Sequence, residues 1–376
     1  MALAFKTHTC VHTPLSPVFY TSFYSLESYL FGSEQMRLAV LTGGGDCPGL
    51  NAIIQAIVKR ATEYGYETLG VMDGYSGLLK GEVRQLSLND LDDIFMTGGT
   101  ILGSSRTNPL KIADGPNQVM NTIRRLGIDA LITIGGDDTL GVAAKLSEFG
   151  LPVVGVPKTV DNDYPCTDYC VGFQTAVETA SEMISKLHST AKSHKRVIIA
   201  EVMGRYAGWL TLMAGLAGGA HVILIPEKPF SIDEVCEVVK RRDAAGKGYT
   251  IIAVAEGAKP ENINDLSTVS SDKDQFGHER LGGIAQMMDK EIEHRTGKET
   301  RSMILGHVQR GGSPNAFDRI AGIRLGLFAV DLVKQGKYGY VVGLRGMDIV
   351  PVRMDKVEGP KNVPESFFEL TQFFST

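Results

Sequence analysis

The sequence predicts an α/β fold with two lobes of largely parallel β-sheet, flanked by helices and separated by a cleft. Short apolar runs rich in β-branched residues alternate with stretches of helical spacing along most of the 376 residues. Nearly every apolar run ends in a turn rich in glycine, aspartate or arginine. The chain also holds more strand–helix units than one sheet commonly carries, which favours two lobes.

The first predicted unit is a strand at residues 38–42, a glycine-rich turn at 43–49 and a helix at 51–64. This order is typical of phosphate binding, because backbone amides and a helix N-terminus face the anion. The turn matches neither GxGxxG nor GxxxxGK[ST], so neither a dinucleotide-binding fold nor a Walker loop follows. The alternative interpretation is a tight strand-to-helix turn without a ligand.

The next predicted strand begins at residues 69–71. A second glycine-rich loop at 98–106 ends in Arg106, and a helix at 119–126 follows it. The planar guanidinium group of an arginine is suited to phosphate oxygens.

A predicted βαβ unit forms the centre of the chain, with strands at 130–134 and 152–156 and a helix at 139–149. The carboxyl ends of its two strands carry four carboxylates and one lysine. These are Asp137, Asp138, Asp161, Asp163 and Lys158. Because ligands of open α/β sheets bind outside the carboxyl ends of strands, this edge is the predicted site.

Aspartates next to a bound phosphate require a cation between them. Mg²⁺ takes one or two carboxylates together with phosphate oxygens. The pattern therefore indicates metal-assisted phosphoryl transfer, in which one carboxylate takes the proton of the acceptor. The alternative is a turn of solvated aspartates at a helix N-terminus.

The second half of the chain continues the alternation. Strands are predicted at 196–205, 222–226, 249–255 and 300–305, helices at 175–191, 232–242 and 282–295, and a mobile polar loop at 262–276. Basic or imidazole side chains stand at the strand ends: Arg196, Arg205, Arg301, His307 and Arg310. Several such residues suggest a second bound phosphate, and Glu256 among them is suited to sugar hydroxyls.

The composition excludes several classes of function. A net charge of -5 without a basic run gives no sign of nucleic-acid binding. No apolar stretch approaches 18 residues, which predicts the absence of a transmembrane helix. Five cysteines form no CxxC pair, so free thiols and a cytoplasmic location are expected. Residues 1–35 lack the order of a signal or transit peptide and are interpreted as a disordered extension or an upstream start assignment.

Seven motifs occur in an order that resembles the 6-phosphofructokinase family: GGGDCPGLNAII, GGTILGSSR, IGGDDT, PKTVDND, VGFQTA, EVMGRYAGWL and GHVQRGGSPNAFDR. The resemblance covers about residues 36–350. It implies transfer of a phosphoryl group to the 1-hydroxyl of fructose 6-phosphate with Mg²⁺. It also implies a phosphoryl-donor lobe at 36–171 plus about 308–350, a sugar-phosphate lobe at 172–307, and an active site in the cleft between them.

The resemblance further implies a role for each matched residue. Asp161 matches the base, Asp137 the Mg²⁺ ligand, and Gly45 and Arg106 contacts to the donor phosphates. The implied contacts to the sugar phosphate are Thr159, Val160, Asp161, Met203, Gly204, Arg205, Glu256, His307, Val308, Gln309 and Arg310. Arg196 and Arg301 match arginines that reach the 6-phosphate from a neighbouring subunit, which implies a homodimer or homotetramer.

Two positions bear on the phosphoryl donor. Asp138 stands where ATP-dependent members typically have a glycine that leaves room for the α-phosphate of the nucleotide. Lys158 replaces the glycine of the PGTID found in many ATP-dependent members, and its ammonium can neutralise charge on the transferring group. Because some ATP-dependent members also carry this lysine, Asp138 is the deciding position. Together the two residues resemble the pyrophosphate-dependent members, whose reaction is generally reversible and belongs to glycolysis and gluconeogenesis. An ATP-dependent enzyme and a catalytically silent sugar-phosphate-binding subunit remain the alternatives. Gln55, where allosteric members have arginine, predicts weak or absent allosteric control.

Overall fold

The structure is a computed structural model that describes residues 35–261 and 281–373. The predicted N-terminal extension, except for Gln35, and the predicted mobile loop at 262–276 lie outside the described residues.

A seven-stranded sheet forms the first lobe, with the strand order β11-β10-β5-β4-β1-β2-β3. Its strands are β1 (Arg37–Thr42), β2 (Glu67–Val71), β3 (Val83–Leu86), β4 (Ala130–Gly135), β5 (Val153–Pro157), β10 (Tyr340–Arg345) and β11 (Asp348–Arg353). The five inner strands run parallel, whereas β3 and β11 pair antiparallel at the two edges. The inner strands β1, β4 and β5 are almost wholly buried, which explains their continuous apolar sequences.

A four-stranded sheet forms the second lobe, with the order β7-β8-β6-β9 and parallel pairing throughout. Its strands are β6 (Val197–Val202), β7 (Val222–Leu224), β8 (Thr250–Ala255) and β9 (Thr300–Ile304). Strands β6 and β8 are fully buried, and β9 is an edge strand that exposes Arg301, Met303 and Ile304. The two-lobed, largely parallel α/β architecture predicted from the sequence is confirmed.

Helices cover both sheets. They are α1 (Leu50–Glu63), α2 (Tyr75–Lys80), α3 (Gly115–Arg125), α4 (Asp137–Glu148), α5 (Phe173–His194), α6 (Trp209–Gly218), α7 (Ile232–Ala244), α8 (Ile284–Thr296), α9 (Ala316–Lys334) and α10 (Glu365–Phe368). Helix α1 buries Ile53, Ile54, Ile57 and Val58, the apolar face that its sequence spacing predicts. Asp137 and Asp138 lie in the first turn of α4, where negative charge is favourable to the helix dipole.

Sequence patterns predicted β1, β2, β4 to β9 and helices α1, α3, α4, α5, α7 and α8, with ends that differ by a few residues. The patterns missed β3, β10, β11, α2, α6, α9 and α10. Helix α6 is apolar on nearly all sides, so it has no amphipathic signal. Among the described residues, no helix combines the length and the apolarity needed to cross a membrane.

Candidate active site

Three loops at the carboxyl edge of the seven-stranded sheet lie side by side. The register pairs Thr42 with Ile134 and Gly135 with Pro157, so β1, β4 and β5 end at the same level. Backbone bonds continue past the strand ends: Gly43 N–H donates to the Ile134 carbonyl, and Lys158 N–H donates to the Gly135 carbonyl, each at 2.9 Å. The glycine-rich turn after β1 is therefore fixed beside the aspartates that follow β4.

Glycines in these loops make room for Thr139 in the first turns of α4. A Cβ at Gly43 or Gly135 would lie 2.6 or 2.7 Å from the Thr139 hydroxyl oxygen, closer than van der Waals contact allows. At Gly45 a Cβ would lie 2.9 Å from Nη1 of Arg310. The glycines thus allow two close approaches: Thr139 leaves no room for a side chain at Gly43 or Gly135, whereas at Gly45 only the flexible end of Arg310 would have to move.

The loops enclose a small pocket of about 60 Å³. Residues from both lobes line it: Gly44, Gly45, Asp46, Arg106, Gly136, Asp137, Asp138, Thr139, Lys158, Thr159, Val160, Asp161, Arg205 and Arg310. A depression of about 490 Å³ adjoins the pocket and shares Gly45, Arg106 and Arg310 with it, and His307 lies at its side. Every residue expected at the donor and metal positions therefore lies in one place.

Lys158 is hydrogen-bonded to the glycine-rich loop after β1. Its side chain is only 2 % exposed, and its ammonium donates to the carbonyls of Gly43, at 3.1 Å, and Gly45. Burial lowers the pKa of this ammonium, and the positive charge of Arg310 adds to the effect, whereas Cys47, Asp46 and Asp161 oppose it. Because two of its three N–H donors hold the loop and the residue lines the pocket, Lys158 both shapes the pocket and places charge there.

Asp161 and Arg310 each keep a polar atom that no described group satisfies. Asp161 is 6 % exposed, and its Oδ1 is buried without a hydrogen-bond partner among the described residues. The same is true of Nε of Arg310. Both residues line the pocket, and buried polar atoms in native proteins are nearly always hydrogen-bonded. The two atoms indicate a site shaped for a polar ligand.

The electrostatics of the carboxylates differ from one aspartate to the next. Burial raises the pKa of Asp161, and Arg310 and Arg205 counteract the increase. Burial, together with the charges of Asp161 and Asp137, raises the pKa of Asp163 to about 8, so this carboxyl group is largely protonated at neutral pH. Asp137 is exposed at the pocket. A raised pKa makes Asp161 a stronger base than an ordinary aspartate.

An ion pair crosses the cleft between Asp138 of α4 and Arg205 at the end of the four-stranded sheet, with 3.8 Å between Oδ2 and Nη1. Arg205 has a positive φ of 53°, a strained conformation for a non-glycine residue. Glu256 stabilises this turn because its Oε1 accepts from the N–H groups of Gly204, at 3.4 Å, and Arg205, at 3.0 Å. Burial, and next the Asp161 charge, raises the pKa of Glu256 to about 7.

The segment after β9 contributes residues of different kinds. His307 and Val308 are exposed, whereas Gln309 has no exposed surface. The Gln309 side chain accepts from Met203 N–H at 3.3 Å and donates to the Gly306 carbonyl at 3.0 Å. Gln309 therefore supports the turn at Met203 from behind. The 60 Å³ pocket is not lined by five of the residues that the resemblance implies: Met203, Gly204, Glu256, Val308 and Gln309.

Arg196 and Arg301 lie apart from the other arginines. Arg196 directly precedes β6 and Arg301 is the second residue of β9, so both are at the amino end of the four-stranded sheet. Arg196 pairs with Glu299 at 2.7 Å, and Arg301 pairs with Glu299 and, at 3.7 Å, with Glu293. The structure does not bring these two arginines to the pocket of their own chain.

Sequence reasoning missed several polar residues around the pocket. They are Asp46 and Thr139 in the pocket and Thr100, Ser104 and Ser105 in the adjoining depression. Ser104 and Ser105 were part of the second glycine-rich loop, but hydroxyl groups in loops are too common to single out. Ser104 donates to the Gly44 carbonyl at 2.6 Å, so this loop tethers the first one.

Comparisons with known proteins identify the family of the chain. The model of the family described as "Phosphofructokinase" matches residues 37–333. The chain is 52% identical over 342 residues to the pyrophosphate–fructose 6-phosphate 1-phosphotransferase of Amycolatopsis mediterranei, covering 90% of this chain and 100% of the relative. It is 49% identical over 333 residues to ATP-dependent 6-phosphofructokinase 3 of Streptomyces coelicolor, covering 88% and 97%.

A solved structure of Pichia pastoris phosphofructokinase in the T-state is also similar. The TM-score is 0.77 at 31% sequence identity, and the match covers 90% of this chain but only 37% of the longer Pichia chain. The family model spans well over half of the residues, and the relatives match over nearly their whole length. The chain therefore belongs to the phosphofructokinase family.

Proposed function

We propose that the chain phosphorylates the 1-hydroxyl of fructose 6-phosphate with pyrophosphate as the donor, and that the reaction is reversible. The relatives named for pyrophosphate are 49–53% identical to this chain, whereas relatives named for ATP reach 49%. Overall identity hardly separates the two donors. The choice rests on the pocket itself.

The observation that carries the proposal is the position of Asp138. Its carboxylate lines the 60 Å³ pocket together with the glycine-rich loop, Lys158 and Arg106. A nucleotide would need to place its α-phosphate beside this carboxylate, and like charges at close range cost several kcal/mol. Pyrophosphate has no α-phosphate of a nucleotide to place there. Asp138 thus disfavours the longer donor.

The remaining residues have complementary roles in the proposal. Asp161 accepts the proton of the sugar hydroxyl, and Lys158 neutralises charge that develops on the transferring group. The amides of the loop at Gly45 and the guanidinium of Arg106 bind the donor phosphates. Thr159, Val160, Met203, Gly204, Arg205, Glu256, His307, Val308, Gln309 and Arg310 shape the sugar-phosphate side.

The donor set suits Mg²⁺ shared with the phosphates. Asp137 is exposed at the pocket and would hold the ion. Within the described residues, no group of three or more His, Cys, Asp or Glu side chains forms a complete metal cage. One or two carboxylates are what Mg²⁺ takes when phosphate oxygens and water complete its shell. When bound, the ion would neutralise charge on the donor oxygens.

Other expectations belong to the same proposal. Arg196 and Arg301, at the amino end of the sheet, would serve the 6-phosphate site of a neighbouring copy in a homodimer or homotetramer. A cytoplasmic enzyme of glycolysis or gluconeogenesis is the setting that we expect.

The test is a donor comparison with purified protein, fructose 6-phosphate and Mg²⁺, with pyrophosphate or ATP supplied separately. We expect turnover with pyrophosphate alone. Turnover with ATP alone would support the second candidate, an ATP-dependent enzyme, which the 49% relatives favour. No turnover with either donor would favour a silent sugar-phosphate-binding subunit.

The variants Asp138→Gly and Asp138→Asn separate the effect of the side chain's charge from the effect of its size. Asn keeps the size of the side chain and removes its charge, whereas Gly removes both. We expect the preference for pyrophosphate over ATP to fall about tenfold or more in Asp138→Gly, equivalent to about 1.4 kcal/mol, and by less in Asp138→Asn. An unchanged preference in Asp138→Gly would refute this explanation of donor choice.

A further inference from the structure

The chain after residue 333 lies beyond the region that the family model matches. It adds β10 and β11 to the seven-stranded sheet and then crosses toward the four-stranded lobe as an extended stretch at residues 357–363, here called the strap. At its far end Val363 N–H donates to Oε1 of Glu227 at 3.0 Å. Glu227 follows β7 and also accepts from Gly208 N–H at 3.0 Å. The strap thus connects the two lobes.

Lys361 makes most of the polar contacts of the strap. Its backbone N–H donates to the Asp163 carbonyl at 2.7 Å. Its ammonium donates to the carbonyls of Thr167, at 2.9 Å, and Asp168, at 2.8 Å. Its own carbonyl accepts from Nε1 of Trp209, in α6, at 2.7 Å. Lys361 therefore makes three hydrogen bonds to the turn at 161–168 and one to the opposite lobe.

The turn that Lys361 contacts begins at the proposed base. Asn162, the neighbour of Asp161, is buried and has a positive φ of 53°. Its side chain accepts from Cys170 N–H at 2.9 Å and donates to the Asp168 carbonyl at 3.3 Å. The Asp168 carbonyl is therefore shared by Asn162 and Lys361. The Asp168 carbonyl thus links Lys361 to Asn162, the residue that follows Asp161 in the chain.

The turn is packed on one face, where Tyr164 and Cys166 belong to the hydrophobic core, and borders open space on another. A cavity of about 450 Å³ lies against it, lined on one side by Asp163, Tyr164 and Pro165 and on the other by strap residues that include Gly359 and Pro360. On the face that borders this open space, hydrogen bonds add to the rigidity that core packing gives the rest of the turn. The two bonds of the ammonium are charge-assisted, which makes them about twice as strong as neutral ones.

We propose that Lys361 is a positioning residue, which holds the 161–168 turn so that the Asp161 carboxylate stays aligned with the sugar hydroxyl. The inference rests on the proposed role of Asp161 as the base. Lys361 does not line the 60 Å³ pocket, so it acts through the backbone of the turn and not on the substrates.

The test compares Lys361→Met and Lys361→Gln with the wild type. Met keeps the apolar stem and removes both ammonium bonds, whereas the amide of Gln keeps a single donor group. A displacement of reacting atoms by about 1 Å can cost about 100-fold in rate. We expect kcat to fall about 10- to 100-fold in Lys361→Met and less in Lys361→Gln, with the KM for each substrate within about threefold of the wild type.

Each kcat is divided by the concentration of sites that bind fructose 6-phosphate in a calorimetric titration, which removes any loss caused by unfolded protein. Lys356→Met, at an exposed lysine near the strap, is the matched control and should behave as the wild type. A wild-type kcat in Lys361→Met would overturn the proposal. If that variant does not fold, a wild-type kcat in Lys361→Gln would overturn it instead.

The kcat of each variant relative to the wild type is measured with whichever donor the wild-type protein uses. If pyrophosphate is not the donor, this test can still be carried out. If Lys361→Met keeps the wild-type kcat, the donor assignment is unaffected.

Discussion

The edges of the two sheets that face the cleft differ in how far their functional side chains are buried. At the edge of the seven-stranded sheet, Lys158 and Asp161 are almost fully buried, and backbone bonds fix the loops that carry them. At the edge of the four-stranded sheet, Arg205 is half-buried and His307 is exposed. Rigid, desolvated groups suit a chemical step, because their geometry and charge need no rearrangement during the reaction. Accessible cationic groups suit capture of an anionic ligand.

This contrast predicts a division of labour between the lobes. Substitutions at the first edge should lower kcat, and substitutions at the second edge should raise the KM of the sugar phosphate. The ion pair between Asp138 and Arg205 is a direct link between the edges.

The largest effect is expected for Asp161→Asn. The amide keeps the shape of the side chain but cannot accept the proton, and general-base catalysis contributes about 10²- to 10⁴-fold. We expect kcat to fall by about 10³-fold or more while fructose 6-phosphate still binds in a calorimetric titration.

Asp163→Asn is the matched control for that substitution. Because the pKa of Asp163 is raised to about 8, its carboxyl group is mostly neutral at pH 7 and an amide replaces it closely. A fall in kcat in Asp163→Asn equal to that in Asp161→Asn would contradict the assignment of Asp161 as the base.

Lys158→Met should have the next largest effect. The variant removes the buried charge and both bonds to the glycine-rich loop, and loss of one preorganised group of this kind costs about 10²- to 10³-fold in kcat. Lys145→Met, on the exposed face of α4, is the control. A kcat within tenfold of the wild type would mean that Lys158 only supports the loop.

Arg205→Met tests the second edge. A hydrogen bond to a charged group contributes about 1.5–3 kcal/mol, so the KM for fructose 6-phosphate should rise about 10- to 100-fold, with a smaller change in kcat. Arg353→Met, at an exposed ion pair on β11, should leave both constants unchanged. A change confined to kcat would contradict the division of labour.

The smallest effect is expected for His221, which directly precedes β7 at the amino end of the four-stranded sheet. Nδ1 of His221 accepts from Ile251 N–H at 2.8 Å, and burial, with the charges of Arg242 and His188, lowers the pKa of His221 from 6.5 to about 4. Between pH 6.5 and about 4 the unfolded chain binds a proton at His221 that the folded chain does not. The contribution of this residue to stability therefore falls as the pH drops through that window.

His221→Asn isolates this contribution, because an Asn oxygen can still accept the bond without titrating. We expect the urea midpoint of the wild type to fall more between pH 7 and pH 5 than that of the variant. Equal falls would show that His221 titrates alike in both states.

The sequence predicted β1, β2, β4, β5, β6 and β8 and the amphipathic helices because burial imposes an apolar or periodic pattern on them, but it missed the buried inner strand β10. It also predicted the first glycine-rich loop, the aspartates and the basic residues at strand ends, since each is next to a strand that could be located, and the second glycine-rich loop from its glycines alone. Helix α6 and the edge strands β3 and β11 were missed because a uniformly apolar helix and half-exposed edges give no clear period.

By itself, the sequence determined which chemical groups stand at the strand ends, and its resemblance to the family implies that Asp138 departs from the typical ATP-dependent pattern. Only the tertiary structure decided how those groups meet. It joined Asp138 to Arg205 and Gly45 to Arg310 and separated Arg196 and Arg301 from the pocket. It also brought Lys361 to a turn nearly 200 residues earlier in the chain. The physical reason is that local patterns record burial and backbone conformation, whereas contacts between distant residues depend on strand register and on the packing of whole lobes.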